Sequence, residues 1–376
     1  MQVERIDVAG LAGATPRGGW AHELERDDVV HTLVTVHTDE GVTGVGSVYS
    51  HDALVRAAID VLAPLVIGEQ ALEPERVSEK LHQHTFWLGR GGTLTHAISG
   101  IDIALWDILG KVTGQPVGRL LGGRYRDRVR PYASVLMREP DAMAERLGGL
   151  VEQGFTAFKL GWGPFGRHSD RLDEQIVSRA REVVGPDALL MVDAGASDGF
   201  APHTYTWALR TATMLASYGV EWFEEPLPPD ALHDYVELRR HAPVRIAGGE
   251  VLTRRQSFMP WLRAHALDIV QPDVTKVGGL SEQRRIARAA EDHGVAFVAH
   301  GWNTAVGLAA DLQLASAMAH TELVEYKVGS PYVDELTVEG MELDADGTLA
   351  IPDRPGLGIT LDPDALARYT NAQVLR

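Results

Sequence analysis

The sequence "VEWFEEPLPPD", residues 220–230, ends a strand-like run with two adjacent carboxylates. Its valine, tryptophan and phenylalanine are typical of a buried β-strand, and the prolines that follow Glu225 stop the strand from continuing. Neighbouring carboxylates repel each other and resist removal from water unless a cation or hydrogen-bond donors compensate them. The stretch therefore predicts a buried strand whose end meets a positively charged partner.

The same pattern recurs along the chain from about residue 129. Short apolar runs return about every 20–35 residues, each followed by a polar turn and a helical pattern. The runs are "VRPYASVL", "AFKLGW", "LLMVDA", "VEWFEEP", "RIAGGE", "DIVQPD", "AFVAHG" and "LVEYK". Eight apolar strands that alternate with amphipathic helices indicate parallel pairing and predict a compact (β/α)8 barrel. A doubly wound open sheet is the alternative, but no GxGxxG sequence follows the first run.

A different pattern precedes the repeat. Alternating runs around the "TDEG" turn at residues 38–41 predict a β-meander, and "AISGIDIALWDILGKVTG" has apolar residues at helical spacing. We therefore expect one unit over residues 1–125 and the barrel over residues 126–328. Residues 329–376 are rich in Pro, Gly and Asp, and we expect them to pack back on the first unit or on the barrel rim.

Composition excludes several classes of function. The net charge of −17 and the pI near 5.3 argue against nucleic acid and against an anionic membrane surface as partners. The chain has no cysteine, which excludes disulfides, thiolate metal sites and a cysteine nucleophile. The first ten residues are charged and alternate like a strand, unlike a signal peptide, and no run of about 18 apolar residues predicts a membrane span. A cytoplasmic location is the expectation.

Ionisable residues stand at the ends of seven consecutive strand-like runs, 23 to 34 residues apart. They are Lys159, Asp193, Glu224 (or its neighbour Glu225), Glu250, Asp273, His300 and Glu325. Taken singly, an acid after a strand is more often a helix N-cap or a solvated turn. In a barrel, however, all these ends face one mouth, where the active sites of such folds lie. A cluster of five acids with one Lys and one His would also need a cation.

Three of these carboxylates lie on successive strands, and they predict a divalent metal site. Asp193, Glu224 and Glu250 offer oxygen ligands, which Mg²⁺ prefers, and an octahedral Mg²⁺ keeps positions for water or substrate. Zinc fits less well because no His or Cys stands among the three. We predict that one glutamate of the pair at residues 224–225 binds the metal and that its neighbour lies behind it or forms an ion pair.

The ordered motifs "VDAG", "FEEP", "GGE", "QPDVTKVGG" and "AHGWN", preceded by "ISGIDIALWDILGK", resemble the enolase superfamily, mandelate racemase subgroup. The resemblance extends over nearly the whole chain. It implies an α/β fold, a modified TIM barrel of the (β/α)7β type with an N-terminal α+β capping domain, completed by the C-terminal segment. It also implies abstraction of a proton alpha to a carboxylate, with Mg²⁺ and a Lys or His base.

Matched to the motifs of this superfamily, each strand-end residue takes an expected role. The resemblance implies metal ligation by Asp193, Glu224 and Glu250, and a base, His300, oriented by Asp273. Glu325 resembles the acid that hydrogen-bonds the substrate carboxylate. Lys159 matches the first Lys of a "KxK" sequence. The subgroup is commonly homo-oligomeric, so a homo-oligomer, in one form an octamer, is expected.

Two departures from the motifs favour one reaction. Gly161 stands where the second Lys of "KxK" is common, and Gly195 stands where Asn is common. A two-base racemase is therefore disfavoured, whereas one His–Asp pair suits β-elimination of water, in which His300 takes the alpha proton and returns it to the leaving 3-hydroxyl. We predict an acid-sugar dehydratase of the aldonate type, a hydro-lyase, that yields a 2-keto-3-deoxy acid. A racemase, epimerase or cycloisomerase, and outside enzymes a non-catalytic metal-stabilised binding protein, are the alternatives.

Aromatic and histidine side chains near the expected mouth are candidates for recognising the sugar, although ordinary packing would explain each of them equally well. They are Trp20, His22, Tyr49, Trp162 and Trp302. The sequence does not identify the sugar, because discrimination can depend on one or two buried polar contacts.

Overall fold

The computed structural model describes residues 1–16, 24–195 and 203–370. The N-terminal unit contains a three-stranded antiparallel sheet in the order β1-β2-β3 and a group of helices. Its elements are β1 Val3–Leu11, β2 His31–Thr38, β3 Thr43–Val48, α1 Asp52–Val66, α2 Pro74–His84, a 3₁₀ turn Phe86–Leu88, α3 Thr93–Thr113 and α4 Val117–Leu120. The predicted meander around the "TDEG" turn is therefore β2 and β3.

Helix α3 packs directly on strand β3 because glycines remove the side chains between them. A Cβ added at Gly44 would lie 2.0 Å from the carbonyl oxygen of Ala104, and one at Gly46 would lie 1.9 Å from that of Gly100. Only glycine permits such a close approach of two backbones. The opposite side of α3 carries Trp106, whose indole Nε1 donates to Ser281 Oγ of the barrel at 3.0 Å.

The barrel strands follow in chain order and pair in parallel. They are β4 Arg128–Leu136, β5 Ala157–Gly161, β6 Leu189–Asp193, β7 Trp222–Glu224, β8 Arg245–Gly248, β9 Ile269–Val270, β10 Ala296–Phe297 and β11 Leu323–Lys327. Seven of the eight predicted runs contain one of them entirely, and β4 begins one residue before the run "VRPYASVL". The hydrogen-bonded order is β10-β9-β8-β7-β6-β5-β4-β11. Between the terminal strands of this order, the amide of Gly301 donates to Glu325 Oε2 at 2.7 Å.

Helices alternate with the barrel strands, and a short C-terminal region follows. The helices are α5 Pro140–Glu152, α6 Asp170–Val184, α7 Tyr205–Ser217, α8 Leu232–His241, α9 Arg254–Ala264, α10 Gly279–Asp292 and α11 Ala305–Ala317, then α12 Pro331–Asp334, β12 Leu349–Ala350 and α13 Pro363–Tyr369. Strand β12 pairs with β4, while Ala12 of the N-terminal unit donates to the carbonyl of Tyr369 at 2.8 Å. The C-terminal segment thus contacts both units, and the boundaries at residues 125 and 329 remain predictions.

Inward-facing side chains fill the bottom of the barrel, below the strand ends. A buried layer of Tyr132, Ala157, Met191, Trp222, Ala247, Ile269 and Val298 crosses its interior. Side chains alternate along a strand, so the next inward positions, such as Lys159 after Ala157 and Glu224 after Trp222, lie one layer nearer the mouth. Among the described residues, no helix is long and apolar enough to cross a membrane.

Candidate active site

Three buried carboxylates converge at the mouth of the barrel. Asp193 and Glu224 are the last residues of β6 and β7, and Glu250 lies two residues after β8. One oxygen from each lies within 4.8 Å of the others. The three residues that the sequence predicts as metal ligands are therefore close enough to share one ion.

Hydrogen bonds to both carboxylate oxygens fix the orientation of Glu224 within this cluster. Its Oε1 accepts from Lys159 Nζ at 2.5 Å, and its Oε2 accepts from Trp222 Nε1 at 2.9 Å and from Gln271 Nε2 at 2.7 Å. The next residue, Glu225, is buried outside the three-carboxylate cluster and has a backbone φ of +39°. Of the "EE" pair, Glu224 is thus a member of the cluster, whereas Glu225 is buried outside it.

Lys159 places an ammonium group among the carboxylates. Its Nζ lies 2.5 Å from Glu224 Oε1, 2.9 Å from Glu325 Oε1 and 3.7 Å from Asp193 Oδ2. Burial opposes its charge, but Glu224 and Glu325 outweigh burial and raise the pKa of Lys159 well above its ordinary value. Lys159 is therefore protonated, and its hydrogens are directed at acids that flank the cavity.

The charges at the mouth fit a divalent cation. Among the described residues, the five carboxylates at the mouth form their ion pairs with three groups, Lys159, Lys276 and His300, so the carboxylates outnumber their partners. Burial and the charge of Glu224 raise the pKa of Asp193 well above its ordinary value, because two adjacent buried carboxylates resist ionising together. A hard cation would remove this conflict, and three carboxylate oxygens are a donor set suited to Mg²⁺.

His300 and Asp273 form a hydrogen-bonded pair beside this cluster. His300 Nδ1 lies 2.8 Å from Asp273 Oδ2, and Asp273 Oδ1 accepts from the amide and hydroxyl of Thr275 at 2.7 and 2.6 Å. With Nδ1–H donated to Asp273, the other ring nitrogen points to the cavity, where it lies 3.1 Å from Glu250 Oε2. Although burial disfavours the charged ring, Glu250 and Asp273 raise the pKa of His300 well above its ordinary value.

The strand-end positions are less uniform than the sequence pattern suggested. Lys159 and Glu325 are inward-facing residues in the middle of β5 and β11, while Glu250, Asp273 and His300 lie two or three residues beyond their strands. The short strands β9 and β10 end early, but an isolated parallel bridge joins Asp273 to His300 and extends their pairing to the dyad. All seven side chains nevertheless line or adjoin one cavity.

Sequence reasoning missed Lys276. Its Nζ lies 3.8 Å from both Glu250 Oε1 and Asp273 Oδ2, and 4.4 Å from the centroid of the Tyr49 ring. It is the Lys of "QPDVTKVGG", one turn after Asp273. A pattern that considers only the residues at strand ends does not include it. Lys276 connects the dyad and the cluster to the capping unit.

Three predicted sugar-contact residues lie on the cavity wall. Tyr49, Trp162 and Trp302 line it together with His300, Glu250 and Asp193. Trp20 and His22 lie outside the described residues, so their predicted role stays a prediction. The cavity volume is about 30 Å³, room for roughly one or two water molecules. This volume is smaller than a sugar acid, so lining side chains must rearrange for one to bind.

The two glycines that depart from the expected motifs, Gly161 and Gly195, both lie next to Trp162. This residue has a backbone φ of 59°, unusual for a tryptophan, and its indole packs over Gly195, where a Cβ would lie 2.5 Å from the ring. At Gly161 a Cβ would lie 3.1 Å from Asp193 Oδ2. The tryptophan thus occupies the space that a larger residue 195 would need, and the absence of a side chain at residue 161 leaves room beside the carboxylate cluster.

Comparison with known proteins assigns the class. Residues 142–365 match the family model described as enolase C-terminal domain-like, and residues 22–122 match the mandelate racemase / muconate lactonizing enzyme N-terminal domain. The chain therefore belongs to the mandelate racemase and muconate lactonizing enzyme family of the enolase superfamily. The predicted fold class, a modified barrel with an N-terminal capping domain, is confirmed.

Named relatives divide between two activities. D-galactarolactone cycloisomerase of Agrobacterium fabrum is 34% identical, with 91% of this chain and 92% of that protein covered. D-xylonate dehydratase of Haloferax volcanii is also 34% identical, with 98% and 93% covered. The crystal structure of 3,6-anhydro-D-galactonate cycloisomerase from Zobellia galactanivorans superposes with a TM-score of 0.88 at 29% identity, covering 99% of this chain and 100% of that one.

Proposed function

We propose that the protein is a Mg²⁺-dependent acid-sugar dehydratase, a hydro-lyase, with Asp193, Glu224 and Glu250 as metal ligands and His300 as the base. One observation carries the choice of reaction. His300, oriented by Asp273 at 2.8 Å, turns Nε2 toward the cavity, where it lies 3.1 Å from Glu250 Oε2. A cation bound by Glu250 would compete for this carboxylate and leave Nε2 of His300 to the substrate. Lys159 is engaged with Glu224 at 2.5 Å and with Glu325 at 2.9 Å, which makes it a poor second base.

The residues of this chain divide the work of elimination. Bound Mg²⁺ would supply polarisation of the substrate carboxylate and stabilisation of the negative charge that develops there. Nε2 of His300 takes the proton alpha to the carboxylate, and Asp273 stabilises the imidazolium that results. The imidazolium then gives this proton to the departing 3-hydroxyl, which leaves as water. The enol that remains tautomerises to a 2-keto-3-deoxy acid.

Lys159 and Glu325 position the substrate in this proposal. The ammonium of Lys159 offers a fixed positive charge to the substrate carboxylate, and Glu325, held by Gly301 N at 2.7 Å, lies beside it with Oε1 2.9 Å from Lys159 Nζ. Tyr49, Trp162 and Trp302 would exclude water once the sugar is bound. The names of the dehydratase relatives support an aldonate-type substrate for this reaction, the type that the sequence predicts.

Cycloisomerisation is the second candidate. It begins with the same proton abstraction, and three of the compared proteins have this activity in their names. The two reactions differ in the leaving group, a 3-hydroxyl in one and a ring oxygen in the other, so one base and one metal serve either.

A substrate screen tests the proposal. The wild-type enzyme with Mg²⁺ is incubated with mono- and diacid sugars and with their lactones, and 2-keto-3-deoxy products are detected with semicarbazide. We expect one or a few acids to give product, and we expect the product to disappear with EDTA and in His300→Asn. Exchange of the alpha proton in D₂O without loss of water would instead indicate a racemase or epimerase. Product from a lactone alone would favour a cycloisomerase.

A further inference from the structure

A third buried amine, besides Lys159 and Lys276, lies near the mouth, outside the carboxylate cluster and the dyad. Lys327 is 2% exposed, and its Nζ has no hydrogen-bond partner among the described residues. Burial lowers the pKa of Lys327 to about 7. An unpaired ammonium in a protein interior is costly, so its presence calls for a physical reason.

Its place on strand β11 directs Lys327 toward the substrate. Lys327 lies two residues after Glu325 and therefore on the same inward face, whereas Tyr326 between them points outward and donates to Asp334 at 2.9 Å. Two residues of a parallel strand move the side chain about 6.6 Å further toward the mouth. Its Nζ lies 4.8 Å from the ring centroid of Trp302, which forms part of the cavity wall.

His31 of the capping unit lies in the same region. Its ring is fully buried at the start of β2, and neither nitrogen has a hydrogen-bond partner among the described residues. The ring contacts Tyr49 at 4.8 Å and Tyr332 at 6.0 Å between centroids. Burial, and then the charge of Lys327, lower the pKa of His31 well below its ordinary value.

The carboxylates that could neutralise Lys327 are engaged elsewhere. Glu325, the acid whose charge acts on Lys327, accepts from Gly301 and faces Lys159. Asp273 is bonded to His300 and Thr275. A buried amine and a buried imidazole without hydrogen-bond partners thus remain in contact with Trp302 and Tyr49, two of the aromatic side chains that line the cavity.

We propose that Lys327, with His31 as a neighbouring hydrogen-bond donor, binds a second carboxylate at the end of the substrate remote from the metal. The two residues from Glu325 to Lys327 span about 6.6 Å along β11, which is comparable with the end-to-end length of a five- or six-carbon diacid. The inference rests on the proposed function and deepens it: the preferred substrates are sugar diacids, not the aldonate monoacids that the sequence predicts.

The test measures binding apart from turnover. C5 and C6 aldarates and the aldonates of matching configuration are titrated by calorimetry, with Mg²⁺, into the non-reacting His300→Asn protein and into the same protein carrying Lys327→Met. We expect a diacid to be the tightest ligand and to lose about 30-fold or more in affinity without Lys327. Monoacids should change by less than about threefold, because no charge pair is lost.

Matched variants separate a binding role from a structural one. Lys80→Met removes an amine whose partner Glu69 keeps Arg76, and it should alter neither class of ligand. Lys327→Met should unfold at a temperature no lower than the parent, since it removes an unpaired buried charge. His31→Asn should lower the affinity for the diacid by a smaller factor than Lys327→Met does.

Each result decides between the two proposals. Equal losses for mono- and diacids, a monoacid as the tightest ligand, or no binding of any diacid would overturn the diacid subsite. If the wild type dehydrates a monoacid while diacids do not bind, the proposed function stands and the subsite falls. If diacids bind through Lys327 but no 2-keto-3-deoxy product forms, the subsite stands and the dehydratase falls.

Discussion

The two sides of the barrel mouth differ in how their residues are held. On the side of β6 to β10, the carboxylate cluster and the dyad are fixed by short strands and by bonds such as His300 to Asp273 at 2.8 Å. On the side of β5 and β11, Trp162 packs over Gly195 and the Lys327 amine lies over the Trp302 ring, so these residues are held by ring contacts and close approaches. The first side carries groups that the reaction requires, whereas the second carries groups that select and enclose the substrate.

This difference predicts different responses to substitution. The side of β6 to β10 is called the dyad side. Substitutions there should lower the reaction rate while leaving the fold intact, because each side chain already has hydrogen-bond partners that a conservative replacement retains in part. The side of β5 and β11 is called the enclosing side. Substitutions there should affect packing, substrate affinity and substrate specificity together, because the same aromatic rings determine all three.

The largest expected effect is on the dyad. Asp273→Asn preserves volume but presents an amide to His300 Nδ1, which favours the tautomer with the proton on Nε2 and removes the charge that stabilises the imidazolium. We expect kcat to fall about 10³- to 10⁴-fold on the substrate found by the screen, with little change in KM. Steady-state kinetics on purified protein measures both constants.

A matched control for this substitution is Asp102→Asn. Asp102 is equally buried and accepts from the amide of Ser281 at 2.9 Å, but it lies between α3 and α10, away from the mouth. Its change should leave kcat within about threefold of wild type. Comparable losses in the two variants would mean that Asp273 acts through the fold, and the division between the two sides would fail.

A smaller effect follows from the proposed metal ligands. Mg²⁺ at about 100 times its dissociation constant should raise the free energy of unfolding by about 2.7 kcal/mol, because the ion binds the folded chain only. Glu250→Gln should abolish most of this increase. Glu325→Gln, a buried glutamate outside the cluster, should retain it. Thermal unfolding with Mg²⁺ and with EDTA checks all three proteins, and an equal response of both variants would contradict the ligand assignment.

The sequence predicted the dyad side well for a physical reason. A parallel strand that ends at a barrel mouth places its terminal residues there whatever the details of packing, so Asp193, Glu224 and Glu250 could be grouped without a structure. Lys276 was not predicted as a site residue because it lies one turn beyond Asp273. Lys327 was not predicted because Glu325 already accounted for an ionisable residue on β11.

The enclosing side could not be predicted in the same way. That Gly195 provides space for the Trp162 ring depends on contacts between two loops, and no periodicity in the sequence encodes that distance. Local patterns fix which residues reach the mouth, while the shape of the cavity depends on residues distant in sequence. Tyr49 and Trp302 were identified only as candidates for this reason, and the homo-oligomeric state remains a prediction.

The contact between Trp162 and Gly195 should have an intermediate effect on stability. Gly195→Asn introduces the residue common in related motifs, and Asn tolerates the backbone φ of +60°, so the main cost is collision with the indole ring. We expect a loss of about 1–3 kcal/mol in the free energy of unfolding. Gly114→Asn, at φ +66° with open space around it, should cost less than about 0.5 kcal/mol.

A double substitution isolates this contact from backbone strain. If the ring is the obstacle, Gly195→Asn should cost less when Trp162 is already Gly, with a coupling of about 1–3 kcal/mol in urea unfolding. Additive effects would show that residue 195 is constrained by its own backbone, and the interpretation of the two departures as one packing unit would be wrong.

The smallest effect is expected where the two sides join. Thr304 caps helix α11 by accepting from Gly307 N at 3.4 Å, and its hydroxyl donates to Ser47 Oγ of β3 at 3.0 Å. Thr304→Val keeps the shape and should cost about 1 kcal/mol of stability, as the loss of a helix cap does. Because this bond holds the capping sheet to the segment after His300, we expect KM to rise more than kcat falls. Ser47→Ala removes the same bond without the cap, so a rise in KM shared by both variants would assign the effect to the junction, and a rise confined to Thr304→Val would assign it to the helix.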